Sequence, residues 1–81
     1  SLLVVDDNES NRFVITRILE DLSINIIEAD SGEAALAQLL KNDLFLILMD
    51  VNMPGMDGFE TATLIHGQKK FSTIPIIFIT C

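Results

Sequence analysis

The chain has 81 residues, enough for one domain. Twelve Asp and Glu against five Lys and Arg leave a net charge of −7, which argues against nucleic acid and anionic membrane surfaces as partners, because phosphate binding needs clustered cations. With 49% hydrophobic residues a packed core is available, while a single cysteine, Cys81, excludes an internal disulfide and Cys-rich zinc sites. The longest apolar run, Leu44 to Met49, has six residues, far short of the ~18 of a membrane span. Charge begins at Asp6 and no secretory leader pattern is present, so a reducing cytoplasm is the expected compartment. The chain lacks an initiator Met and opens and closes on strand-like residues, so it is expected to be a piece of a longer protein.

Four short apolar runs follow in order: Leu2–Val5, Ile24–Ile27, Leu44–Met49 and Ile76–Ile79. Near-continuous runs of this length suit strands buried on both faces of a parallel sheet. The intervals, 6–23, 28–43 and 50–75, are each longer than the ~10 to 12 residues that a parallel crossover needs. In the first interval Val14, Ile18 and Leu22 recur every four residues beside Ile15 and Leu19, an amphipathic helix that Asn8 can cap. In the second, Asp30 with Glu33 three positions on reads as a capping box, and Ala34, Ala35, Leu36, Leu39 and Leu40 form the expected buried face. The third opens with a loop, Val51–Met56; Asp57 then caps a helix through Phe59, Ala62 and Ile65, with Gly67 and Lys69-Lys70 at its exit. Pro75 can start the last strand, where no ladder donor is needed. The five phenylalanines, Phe13, Phe45, Phe59, Phe71 and Phe78, are expected in the core, and His66 at a solvated helix end. The alternation β-α-β-α-β-α-β with right-handed crossovers gives an open α/β sheet with helices on both faces.

The chemistry lies where strands end. The first strand runs into Asp6 and Asp7, the third into Asp50, the fourth into Thr80. Ligands of open α/β sheets bind beyond the carboxyl ends of the strands, where the strand order reverses. One acidic strand end is an ordinary turn or cap; an adjacent pair plus a third Asp after a different strand is not. If the first and third strands are neighbours, three carboxylates meet, and then either some stay protonated or a cation joins them. All-oxygen donors favour Mg²⁺ or Mn²⁺. Such a cation attracts phosphoryl groups, and a carboxylate can act as nucleophile to form an acyl phosphate. Thr80 could donate a hydrogen bond to a phosphoryl oxygen.

Leu3-Val4-Val5-Asp6-Asp7-Asn8, the stretch from Leu48-Met49-Asp50 to Asp57-Gly58, and Pro75-Ile76-Ile77-Phe78-Ile79-Thr80 together resemble the receiver domains of bacterial two-component response regulators. Asn11-Arg12 after the acidic pair is similar to the receivers of hybrid sensor kinases. Asp50 lies 43 residues after Asp7, and Thr80 lies 30 after Asp50, as the resemblance requires. It implies a flavodoxin-like sheet of order 2-1-3-4 over residues 1–81, with the family's fifth strand and its flanking helices absent. It implies that Asp50 is the phosphoacceptor for a phosphohistidine and that Asp7, Asp50, the Asn52 carbonyl and, through water, Asp6 hold Mg²⁺ or Mn²⁺. Thr80 would be the switch hydroxyl. The partners implied are a sensor histidine kinase or phosphotransfer domain and an effector domain. A complete receiver catalyses its own phosphorylation and dephosphorylation without being a stand-alone enzyme. The family's phosphoryl-contacting Lys on the fifth strand has no counterpart here, since Lys69 and Lys70 precede the fourth strand. Without a fifth strand the apolar fourth one becomes an edge through which chains can self-associate. Two other readings remain open: a receiver-like docking module that does not phosphorylate, and a phosphatase using Asp50 and Asn52 as an Asp-x-Asn loop. The acidic pair after the first strand is unexplained by the second.

Overall fold

Strand β1 (Leu2–Val5) is buried along its whole length and has a parallel neighbour on each side. It pairs with β2 (Ile26–Ala29) from Leu2↔Ile26 to Val5↔Ala29, and with β3 (Leu46–Asp50) from Leu2↔Leu46 to Val5↔Met49. Strand β4 (Ile76–Ile79) lies outside β3, giving the order β2-β1-β3-β4. The computed structural model describes residues 1–79; Thr80 and Cys81 lie outside them.

The order dictates where the helices go. The chain leaves β1 for β2 on one side, then returns across β1 to reach β3. Right-handed crossovers in opposite directions put α1 (Glu9–Leu19) on one face and α2 (Gly32–Lys41) and α3 (Gly58–His66) on the other. Alternation along the strands sends Leu3, Val5, Ile47 and Met49 toward α2 and α3, where they pack with Ala35, Leu39, Ile65 and Phe71 in the main core. The sheet and its helices thus match the open α/β architecture expected from the run spacing.

The α1 face is less closed. None of the α1 residues is buried; Ile15 and Leu19 are half-buried while Val14 and Ile18 stand exposed, Ile18 by 70%. The expected stripe is therefore real as a pattern but only its inner row meets the sheet. Leu22 has left the helix for a 3-10 turn, Glu20–Leu22, and is exposed too. Of the five phenylalanines only Phe71 is buried; Phe13, Phe45, Phe59 and Phe78 are exposed, a correction to the expected core. Leu40, expected on the buried face of α2, is also exposed.

Boundaries moved where local geometry overrides hydropathy. Ser23 adopts the left-handed conformation (φ 56°) that ends the 3-10 turn, so β2 starts two residues later than the apolar run and takes in Glu28. A charged residue is tolerated there because β2 is an outer strand. In β3 the strand begins at Leu46; Leu44 is buried ahead of it, in the main core. The α2 cap is Ser31, whose Oγ accepts from the Ala34 amide at 3.0 Å, in place of Asp30.

Candidate acidic site at the strand ends

Because β1 and β3 are neighbours in register, their last residues emerge at the same level, at the point where the strand order reverses. Asp6 follows β1, and Asp50 ends β3. Asp7 is the next residue on the loop into α1. Carboxylate oxygens of Asp6, Asp7 and Asp50 all lie within 4.8 Å of one another. Asp6 and Asp50 are buried, with 1% and 6% of their surface accessible, and Asp7 is exposed.

Backbone amides hold two of the three carboxylates. The Asn8 N–H donates to Asp6 Oδ1 at 2.9 Å, and the Asn52 N–H to Asp50 Oδ1 at 3.2 Å. Asp6 Oδ2 is buried without a hydrogen-bond partner among the described residues. Burying an ionised oxygen without a partner is costly. Burial also pushes the Asp50 carboxyl above its ordinary value; the Asn52 amide pulls the other way, and the Asp6 charge, a hydrogen bond that a protonated Asp50 can share with the Asp6 carboxylate, and the Asp7 charge add to the rise. An acidic cluster with one orphaned buried oxygen and only hard oxygen donors fits a divalent hard cation, Mg²⁺ or Mn²⁺.

The flanking loops are tied down. Asn8 caps α1, its Oδ1 accepting from the Asn11 amide at 3.0 Å, as expected. After β3, Gly55 takes a left-handed turn (φ 75°), Met53 is buried in the core, and Asp57 caps α3 through the Glu60 amide at 2.8 Å. Gly58 donates to the Val51 carbonyl at 3.0 Å. A Cβ at Gly58 would lie 2.2 Å from the Asp50 carbonyl oxygen, so only glycine permits this return of the chain. Asn52 is exposed and joined to Asp50 through its amide. Thr80 lies outside the described residues. His66 is exposed at the end of α3, as expected, with Nε2 2.8 Å from the Ile74 carbonyl. One contact escaped the sequence reading: Arg12 reaches both the Asp6 carbonyl and Glu28. One partner directly follows β1 and the other lies on β2, so only the strand pairing reveals it.

The family model of the response regulator receiver domain matches residues 2–81. The chain belongs to the receiver family. Its relatives include the sensor histidine kinase GacS of Pseudomonas protegens, 35% identical over 98% of this chain and 9% of that protein. The chemotaxis protein CheY-3 of Vibrio cholerae is 36% identical over 98% of this chain and 62% of its own length. This receiver therefore spans less than two thirds of the curated relatives it matches. Among solved structures, the response regulator TrrA of Thermotoga maritima, in complex with Mg²⁺ and BeF, superposes with a TM-score of 0.86 at 34% identity. The match covers 98% of this chain and 67% of that one. As a receiver domain of two-component systems, the chain has a role in signal transduction. Among the described residues no helix is long and apolar enough to cross a membrane.

Proposed function

We propose that this receiver takes a phosphoryl group onto Asp50 from the phosphohistidine of a sensor kinase or phosphotransfer domain, in the cytoplasm. An Asp50 carboxylate oxygen forms the bond to phosphorus, the P–N bond breaks, and the histidine nitrogen keeps the electron pair and takes up a proton. Asp7, Asp50 and the Asn52 carbonyl would hold Mg²⁺ or Mn²⁺, with Asp6 acting through water. Bound there, the cation offsets the charge of the entering phosphoryl group. Thr80 would contact that group and report its presence to an effector domain or partner. Residues 1–81 would then form the first four strands of a receiver.

One observation carries the reading: Asp6 Oδ2 is buried and unpartnered, within a cluster whose other carboxylates are Asp7 and Asp50. The Mg²⁺–BeF complex of the relative TrrA supports it. Incubation with acetyl phosphate and Mg²⁺, followed by intact mass, tests it. A single adduct is expected, lost in EDTA and in Asp50→Ala. Yield should be higher in a longer chain that includes the fifth-strand Lys, which would neutralise phosphoryl charge. Labelling that persists in Asp50→Ala refutes the assignment. A chain that binds Mn²⁺ and stays unlabelled at every length favours a docking module, and turnover of small phosphoesters favours a phosphatase.

A further inference from the structure

Arg12 sits one turn into α1, with only 16% of its side chain exposed. One end of its guanidinium, Nη1, donates to the carbonyl oxygen of Asp6. The other, Nε, pairs with Glu28 Oε1 at 3.2 Å on the outer strand β2. The carbonyl it holds belongs to a particular peptide unit: Asp6 Cα lies at one end of that planar group and Asp7 Cα at the other. Two of the three clustered carboxylates therefore leave the chain from the two ends of one rigid plate, and Arg12 holds the oxygen that fixes its rotation. The plate before it is held as well, because the Asp6 amide donates to the Ala29 carbonyl at 3.1 Å. Ala29 adjoins Glu28, so both restraints on Asp6 come back to the same stretch of β2.

We infer that Arg12, anchored by Glu28, is a positioning residue for the metal-binding carboxylates, setting the directions in which Asp6 and Asp7 project into the site. The inference rests on the cation reading given above. A positive charge beside a cation site, taken alone, works against binding. Removing Arg12 should therefore tighten cation affinity if the residue acts only as a charge, and weaken it if it acts by holding the peptide. The two roles predict opposite signs. Lysine keeps the charge but lacks the planar fork that reaches two acceptors in different directions.

Mn²⁺ titration of the chain, read from paramagnetic broadening of the Asp7, Asn8 and Asn52 amide signals, decides the matter. The set is the parent, Arg12→Ala, Arg12→Lys, Glu28→Ala and, as a control on the cation reading, Asp7→Ala. Both Arg12 variants should bind Mn²⁺ about 10-fold more weakly, the usual cost of losing a residue that orients a metal ligand. Glu28→Ala should shift affinity in the same direction. In metal-free samples the Asp7 and Asn8 amide signals should move while those of Ala35 and Ile47 stay in place. Arg12→Ala binding as tightly as the parent, or more tightly, overturns the inference, as does full rescue by Arg12→Lys. If Arg12→Ala does not fold, Arg12→Lys decides alone, because it keeps the charge while losing the planar fork. A parent indistinguishable from Asp7→Ala overturns the cation reading itself, and this inference falls with it.

Discussion

Replacing Asp50 by Asn should stabilise the metal-free chain at neutral pH. The substitution keeps Oδ1 as acceptor for the Asn52 amide and removes one charge from the cluster. Two unit charges 4.8 Å apart, the outer limit of the spacing here, repel by about 1 kcal/mol at the dielectric constant of water and about 3 kcal/mol at an effective value of 20. The buried Asp6–Asp50 pair lies toward the second figure, and the pair with exposed Asp7 toward the first. The burial of an Asn amide offsets part of this, leaving a net gain of about 2 kcal/mol. For a domain of this size that corresponds to roughly 10 °C in Tm. The pH dependence has a definite sign. Asp50 keeps its proton above the ordinary pKa of 3.8 in the fold, so across that window the folded chain binds more protons than the unfolded one. Stability of the parent falls as pH rises through the window and stays lower above it, and the advantage of the Asp50→Asn variant shrinks as pH falls. Thermal and urea melts in EDTA at pH 7 and at pH 5 measure both. Saturating Mg²⁺ should narrow the gap, because the parent gains by mass action and the variant lacks one ligand. An Asp50→Asn variant no more stable than the parent in EDTA at pH 7 would refute the claim that the cluster is electrostatically strained.

Gly58→Ala sets helix propensity against a close approach: propensity alone favours Ala by ~1 kcal/mol, whereas the contact with the Asp50 and Val51 backbone predicts a net loss of about 1 to 3 kcal/mol in urea melts. A stabilised variant would show that the return loop is looser than described. Asn8→Ala removes the α1 cap and should cost about 1 kcal/mol, with Asn8→Ser close to neutral. Strand β4, the outer strand beside β3, exposes Ile77 and Phe78. The 81-residue polypeptide made by itself should therefore self-associate, and Phe78→Lys or Ile77→Lys should lower the mass seen by light scattering. A parent that remains monomeric at high concentration contradicts this.

The alternation of strands and helices was legible because short apolar runs are separated by crossover-length intervals; the strand order came with the resemblance, and the acidic residues at the ends of the first and third runs meet because those strands are neighbours. Caps at Asn8 and Asp57 were legible because they depend on residues three positions away. What hydropathy does not contain is a partner. It marks all five phenylalanines alike as core residues, and only Phe71 is buried, from a 3-10 turn outside every strand and α-helix. The start of β2 depended on the backbone conformation of Ser23, which side-chain patterning does not encode. Arg12 was visible as part of a resemblance, but its role required knowing that β2 lies beside β1, since Glu28 is 16 residues away. Gly58 likewise acquires meaning only once the chain is seen to come back against Asp50.

The contrast between β1, buried throughout, and α1, which buries nothing fully, has a kinetic consequence. Opening α1 exposes little new apolar surface, whereas opening β1 disrupts the whole sheet, so amide protons of α1 should exchange with solvent much faster than those of β1. The carboxylates of Asp6 and Asp7 sit on the few residues that join these two regimes. Arg12 travels with the helix while the carbonyl it holds belongs to the end of the strand, so each excursion of α1 releases the plate that aims both side chains. Loading the site with a cation should slow exchange along the first turns of α1, even though the helix itself supplies no ligand.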